Sequence, residues 1–133
     1  MRKDLEQELA ERWPSWFDIN GDPRNTLMLF GFQCGDGWFG LVWRLCERLE
    51  PLVAELERRT GERFEVIEVK QKMGGLRFYT SHRKEAAILE CIEAAQEESF
   101  RTCEVCGQPG RRRTVRGWIF PACDKHAQSP AEE

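Results

Sequence analysis

Apolar and polar positions recur with different periods along this chain, and each change of period marks an element. Leu5, Leu9 and Trp13 fall at i, i+4 and i+8 within residues 3–13, a helix-forming stretch that Pro14 stops. "SWFDINGDPRN" then brings an aromatic pair followed by Asn20-Gly21 and Asp22-Pro23, the chemistry of a loop. The apolar run "TLMLFGF" fits a strand or a buried extended segment equally well. Next, Trp38, Leu41, Val42, Leu45, Cys46, Leu49, Leu52, Val53 and Leu56 hold one helical face, with Asp36 the expected N-cap and Gly61 the expected stop. Pro51 lies inside this pattern, where it removes a backbone donor and crowds the preceding turn. The spacing therefore predicts a kink, or two helices meeting near Glu50.

The period switches to two in "RFEVIEVKQKMGGLRFYTS". Ile67 and Val69 point one way, Glu68, Lys70 and Lys72 the other, and Leu76 and Phe78 return on the buried side. Gly74-Gly75 permits the positive φ of a tight turn, so the pattern predicts a β-hairpin. Two apolar residues in succession, Val66 and Ile67, predict a bulge there or burial of both faces at the strand's start. Lys70, Lys72, Arg77 and Tyr79 are expected to share the outer face. Ser81 is the expected cap of a last helix, about 82–99, whose inner stripe is Ile88, Cys91, Ile92, Ala95 and Ser99. The whole predicts an α+β fold: helices packed on a β-hairpin or small antiparallel sheet over residues 1–100. A Cys-rich unit follows at 101–127, with a flexible tail at 128–133.

Composition narrows the class. A chain of 133 residues, 41% apolar and 32% charged, supports one ordinary core and excludes the signature of a disordered chain. No apolar run approaches the ~20 residues of a membrane span, and "MRKDLEQELAERW" is too charged for a secretory signal. The expectation is a soluble protein of a reducing cytoplasm, with no membrane partner. In that compartment six cysteines speak for metal rather than disulfides. Cys34, Cys46 and Cys91 are scattered along the chain and read as small buried hydrophobes.

The other three cysteines stand in a pattern. Cys103 and Cys106 form a Cys-x-x-Cys pair, Cys123 and His126 a Cys-x-x-His pair, and sixteen residues intervene between Cys106 and Cys123. Thiolate plus imidazole in a set of four suits one tetrahedral zinc ion. Two residues between ligands let both side chains of a tight turn reach the same ion. The interval fits a short hairpin, with strands near Arg112–Val115 and Trp118–Phe120 around Gly117. A full set of protein ligands predicts structural zinc that lets a segment with little core fold. A zinc-assisted hydrolase would instead need an open metal position.

Catalytic constellations are otherwise missing from the pattern. His82 reads as a surface histidine near a helix start, and no Ser/His/Asp or Cys/His arrangement has spacing logic. "GFQCGDGWFG" lacks the Lys-Ser/Thr ending of a phosphate loop, and Asp36 would repel a phosphate, so it reads as a turn and cap.

Charge points to contact surfaces. The net charge of −3 divides into −5 over residues 1–69 and +2 over 70–133, and residues 101–120 alone carry +4. Arg111, Arg112, Arg113 and Arg116 beside Trp118, with Lys70, Lys72, Arg77 and Tyr79, could meet nucleic acid. The competing expectation is that Trp118 and Phe120 pack on the metal unit or the core while the arginines solvate the surface. A protein partner would instead use the acidic N-terminal portion and "RWPSWF", which requires Trp16 or Phe17 to be exposed.

"CGDGWFGLVWRLCERLEP", "VKQKMGGLRFY" and "CEVCGQPG…GWIFPACDKHA" together resemble a family of small proteins encoded by bacteriophages and prophages. The resemblance spans about residues 33–127 and is most specific in the Gly-Gly-Leu-Arg-Phe-Tyr hairpin at Gly74–Tyr79 and in the Cys-rich end. It implies a phage or mobile-element origin and, from the company such proteins keep, stoichiometric binding to a host or defence protein. With no catalytic constellation in the residues, the expectation is a non-catalytic binding protein. Nucleic-acid binding through the arginine-rich hairpin is the alternative.

Overall fold

The computed structural model describes residues 1–128, and the predicted changes of period become element boundaries in it. Among these residues the fold is α+β. Helices α1 (Lys3–Arg12), α2 (Phe39–Thr60) and α3 (Ala86–Ser99) accompany two antiparallel two-stranded sheets, β1 (Val66–Lys72) with β2 (Gly75–Thr80) and β3 (Arg111–Val115) with β4 (Trp118–Ala122). Beyond Gln128 the tail expected to be flexible lies outside the described residues.

Helix α2 is the spine of the core. Leu41, Val42, Leu45, Cys46, Leu49, Val53 and Leu56 are all buried, and Gly61 ends the helix in the left-handed conformation at φ 71°. The helix runs unbroken through Pro51 as one element of 22 residues, so the expected division into two helices does not occur. Pro51 and Glu47, whose carbonyl loses its helical donor, both lie on the exposed side, where water can satisfy that oxygen.

Two expected caps are placed differently. A short 3-10 turn, Asp36–Trp38, precedes α2, and the Asp36 carboxylate accepts from the backbone nitrogen of Arg2 at 2.7 Å instead of capping the helix. Helix α3 begins only at Ala86. The Ser81 hydroxyl accepts from the backbone nitrogen of Glu65 at 2.9 Å, fastening the end of β2 to the chain entering β1.

The first hairpin pairs Lys70 with Arg77 and Glu68 with Tyr79, and its register shifts between Val66 and Glu68 at the expected bulge. The bulge turns Ile67 to a half-exposed position and leaves Val66 and Val69 buried. The turn residues are Met73 and Gly74, at φ 56° and 81°, rather than Gly74 and Gly75. Two left-handed residues make the turn whose twist matches the strands. Gly75 opens β2 instead, because the Phe100 ring occupies the place of a Cβ there. "TLMLFGF" is neither strand nor simple extended chain: a 3-10 turn, Met28–Phe30, separates ends that pair along β1. Leu27 donates to the Ile67 carbonyl at 2.8 Å, and Gln33 donates to Val69 and accepts from Gln71, both at 2.9 Å.

The aromatic segment "RWPSWF" is part of the core. Trp16 and Phe17 are 6% and 2% exposed. Trp16 meets Phe64 edge-on at 5.2 Å, and Phe17 lies against Phe32 at 5.0 Å. Their area is spent on folding, so the expected partner surface at Trp16 and Phe17 is withdrawn.

Candidate metal centre

The four ligand-type residues converge although no hydrophobic stripe runs through the unit. At the first pair the chain doubles back: Cys103 donates to the Gln108 carbonyl and accepts from Gly107, each at 2.8 Å, with Gly107 at φ 81°. Strands β3 and β4 then form the expected hairpin, closed by Arg116 and Gly117 at φ 52° and 83°. Phe120 and Ala122 join Cys103 in a small buried cluster, with Val105, Val115 and Cys123 around it. After Cys123 a 3-10 turn, Asp124–His126, brings His126 back toward the first pair.

One donor atom from each of Cys103, Cys106, Cys123 and His126 falls in a group whose members all lie within 4.8 Å of one another. The Cys106 and Cys123 sulfurs are 3.8 Å apart, and His126 Nδ1 lies 3.6 Å from Cys103 Sγ and 3.2 Å from Cys123 Sγ. A tetrahedral ion with metal–sulfur bonds of about 2.3 Å and metal–nitrogen bonds of about 2.0 Å separates sulfurs by about 3.8 Å and sulfur from nitrogen by about 3.6 Å. The sulfur–sulfur distance and one sulfur–nitrogen distance match such an ion, and the other sulfur–nitrogen distance is shorter. The group is therefore compatible with a metal site, with Nδ1 the histidine atom nearest the sulfurs. Burial pushes the Cys103 thiol up. Backbone donors at Cys123, Cys106 and Val105, with the Cys106 side chain, outweigh it and bring the thiol to about 6. These donors therefore favour the thiolate at Cys103, the form that a metal binds. At Cys106 the Gln108 backbone donor is outweighed by desolvation and by the neighbouring Cys103 and Cys123 side chains, which push that thiol up.

The unit is clamped to the core by Glu104, which the sequence analysis passed over. Its carboxylate is 2% exposed and accepts from the backbone nitrogen of Gly35 at 2.8 Å and from Gln71 Nε2 at 3.2 Å. Its own nitrogen donates to the Pro121 carbonyl and its carbonyl accepts from Gly37. Trp38 Nε1 donates to the Thr102 carbonyl at 3.0 Å. A Cβ on Gly37 would fall on the Cys103 carbonyl oxygen and 2.6 Å from the Gly107 nitrogen. The glycine-rich loop before α2 is thus the seat of the metal unit. Its only sequence signal is two glycines flanking Asp36 at the start of an apolar helix.

The candidate contact residues separate. Adjacent strand residues face opposite sides, so Arg111 and Arg113 share a face of β3 and Arg112 takes the other. Arg112 stacks over the Phe100 ring at 4.1 Å, beside the Met73–Gly74 turn. Arg113 donates to the Ala122 carbonyl at 2.9 Å and pairs with Asp124 at 2.7 Å. Arg111 and Arg116 are exposed and make no ion pair among the described residues. Phe120 packs on the metal unit as one expectation had it, but Trp118 does not: it is 66% exposed. On the first hairpin Lys70, Lys72, Arg77 and Tyr79 do share one face by register. Lys70 leans on Glu68 at 3.4 Å and lies over the Tyr79 ring at 5.9 Å. His82 is half-buried, stacked on Phe64 and hydrogen-bonded to Glu62 at 2.9 Å.

Protein-family models, curated proteins and solved structures return no match to this chain. No helix among the described residues is long and apolar enough to cross a membrane.

Proposed function

We propose that this chain is a non-catalytic binding protein braced by one structural zinc ion, with a zinc-ribbon or treble-clef-like unit presenting its contact surface. The observation that carries the reading is the four-donor cage of Cys103, Cys106, Cys123 and His126, whose spacings suit tetrahedral zinc. Three thiolates and an imidazole select a soft or borderline ion, and four protein donors leave no position for a reacting water. Bound zinc would close a unit whose own buried cluster is small, Phe120 and Ala122 beside Cys103. The resemblance of its motifs to those of phage and prophage proteins is what supports a mobile-element origin, a bacterial cytoplasmic setting and stoichiometric action.

Of the two partner classes, nucleic acid is the better supported. The aromatics expected to meet a protein are buried, whereas Trp118 stands exposed beside unpaired Arg116. Elemental analysis of protein purified without added metal tests the brace. One equivalent of zinc is expected, and less than about half an equivalent in folded, reduced protein would overturn it.

A further inference from the structure

We propose that the β3–β4 hairpin binds single-stranded nucleic acid, a base stacking on Trp118 while Arg116 and Arg111 hold the flanking phosphates. This deepens the nucleic-acid reading above and rests on the braced hairpin. Trp118 is opposite Val115 in the register, at the last pair before the turn. Val115 packs on the metal unit's small cluster, but the Trp118 ring reaches past it into solvent at 66% exposure. Trp13, Trp16 and Trp38 are buried, so this exposure is not a general property of the chain's tryptophans.

The turn itself adds a second observation. Arg116 holds φ 52°, a left-handed conformation that disfavours a side chain with a Cβ and suits Asn or Gly. An arginine at that place puts a cation at the tip, one residue from Gly117 and two from Trp118. Arg111 lies on the same side as Trp118 by register, at the far end of β3, and is exposed, although Phe120 and Ala122 on that side pack on Cys103. Arg113 lies between them on this face but is neutralised by Asp124. Cations flanking an exposed indole complement a strand with phosphates on either side of an unstacked base.

A single strand fits better than a duplex. In a duplex the base faces are covered by stacking, so an exposed indole has none to stack on, whereas a single strand offers them. The helices supply no basic face either. On α2 Arg44, Arg58 and Arg59 are each paired with a glutamate, Arg48 alone being exposed without an ion pair among the described residues, and α3 carries Glu90, Glu93, Glu97 and Glu98 with no basic residue.

The test is fluorescence anisotropy of the zinc-loaded full chain with labelled dT12, U12 and a 12-base-pair duplex, over 20–200 mM salt. Binding of one or both single strands, weaker binding of the duplex and quenching of tryptophan fluorescence are expected. Trp118→Ala should weaken binding roughly five- to 150-fold, the range for loss of one stacked base. Arg116→Asn should lower the slope of log K against log salt by about 0.7, the single-strand value for one phosphate contact. That change also suits the left-handed backbone, so its effect on binding cannot be assigned to misfolding. Arg58→Ala on α2 should leave binding unchanged. Equal or tighter duplex binding, no binding at 20 mM salt, or an unaffected Trp118→Ala variant would overturn the proposal. Zinc content measured on the same sample separates the failures. A folded, zinc-loaded chain that prefers the duplex defeats this inference alone, one that ignores all three oligonucleotides defeats the nucleic-acid reading with it, and a folded chain without zinc defeats the brace.

Discussion

The Glu104 carboxylate accepts a hydrogen bond from the backbone nitrogen of Gly35 at 2.8 Å, across 69 residues of chain. Through its other oxygen it holds Gln71, and through its backbone it holds Pro121 and Gly37. One residue therefore joins the first Cys pair, strand β4, strand β1 and the lead-in to α2. A buried carboxylate is tolerable only with such partners, and removing it leaves them unsatisfied. Glu104→Ala is expected to destabilise the zinc-loaded protein by about 2–4 kcal/mol, from the usual worth of hydrogen bonds to charged groups. Glu104→Gln keeps an acceptor for Gly35 and should lose less. Urea denaturation in zinc-buffered solution measures both.

Gly37 and Gly40 lie three residues apart and should respond in opposite directions to alanine. At Gly37 an added methyl meets main-chain atoms of Cys103, Glu104 and Gly107, which cannot move without opening the turn around the first Cys pair. Gly37→Ala is expected to cost about 1–3 kcal/mol, the range for overpacking, and to weaken zinc retention. At Gly40 the methyl meets only the flexible end of Arg44, at 3.2 Å, within α2. Gly40→Ala should stabilise by about 0.5–1 kcal/mol through helix propensity. Thermal melts paired with zinc analysis distinguish the two.

The contrast shows which parts of the fold were legible in the sequence. Local patterns are readable: the apolar face of α2, the alternation and bulge of the first hairpin, and the convergence of Cys103, Cys106, Cys123 and His126, which their type and spacing announce. Contacts between distant segments were not. "GFQCGDG" looked like a cap because only the fold brings Gly35 and Gly37 against Glu104 and Cys103. Ser81 has the composition of a cap, yet the adjacent chain at Glu65 claims its hydroxyl. The run Arg111-Arg112-Arg113 looked like one patch, whereas strand alternation and the separate claims of Phe100 and Asp124 divide it. Trp16 and Phe17 carried no local sign of the rings that bury them.

Thiol reactivity offers an independent check on the centre. Cys34 and Cys46 are fully buried, and burial pushes the Cys46 thiol well up from its ordinary value. Cys91 is half-buried on α3, and Cys106, the exposed member of the cage, would be masked by its metal. Brief alkylation of the native zinc-loaded protein is therefore expected to label Cys91 alone. Chelation should add Cys103, Cys106 and Cys123 together, and denaturation should add Cys34 and Cys46. Mass spectrometry of the digest reads each site. Labelling of Cys106 at the same rate before and after chelation would count against the metal.

Pro51 provides the last prediction. It lies well inside the 22 residues of α2, where its ring removes the donor that would serve the Glu47 carbonyl and crowds the preceding turn. A proline in a helix interior typically costs about 3 kcal/mol against alanine. The helix nevertheless continues, because Leu49 and Val53 on either side are buried in the core and hold the backbone in place. The proline is exposed, so its replacement removes little packing. Pro51→Ala is therefore expected to stabilise the protein by about 1–3 kcal/mol, part of the full penalty having been relieved by water at Glu47. The gain should appear as a higher urea midpoint at unchanged slope, with zinc content and oligonucleotide affinity unaltered. A loss of stability would mean that the helix uses the proline to set the direction of its second half against α3.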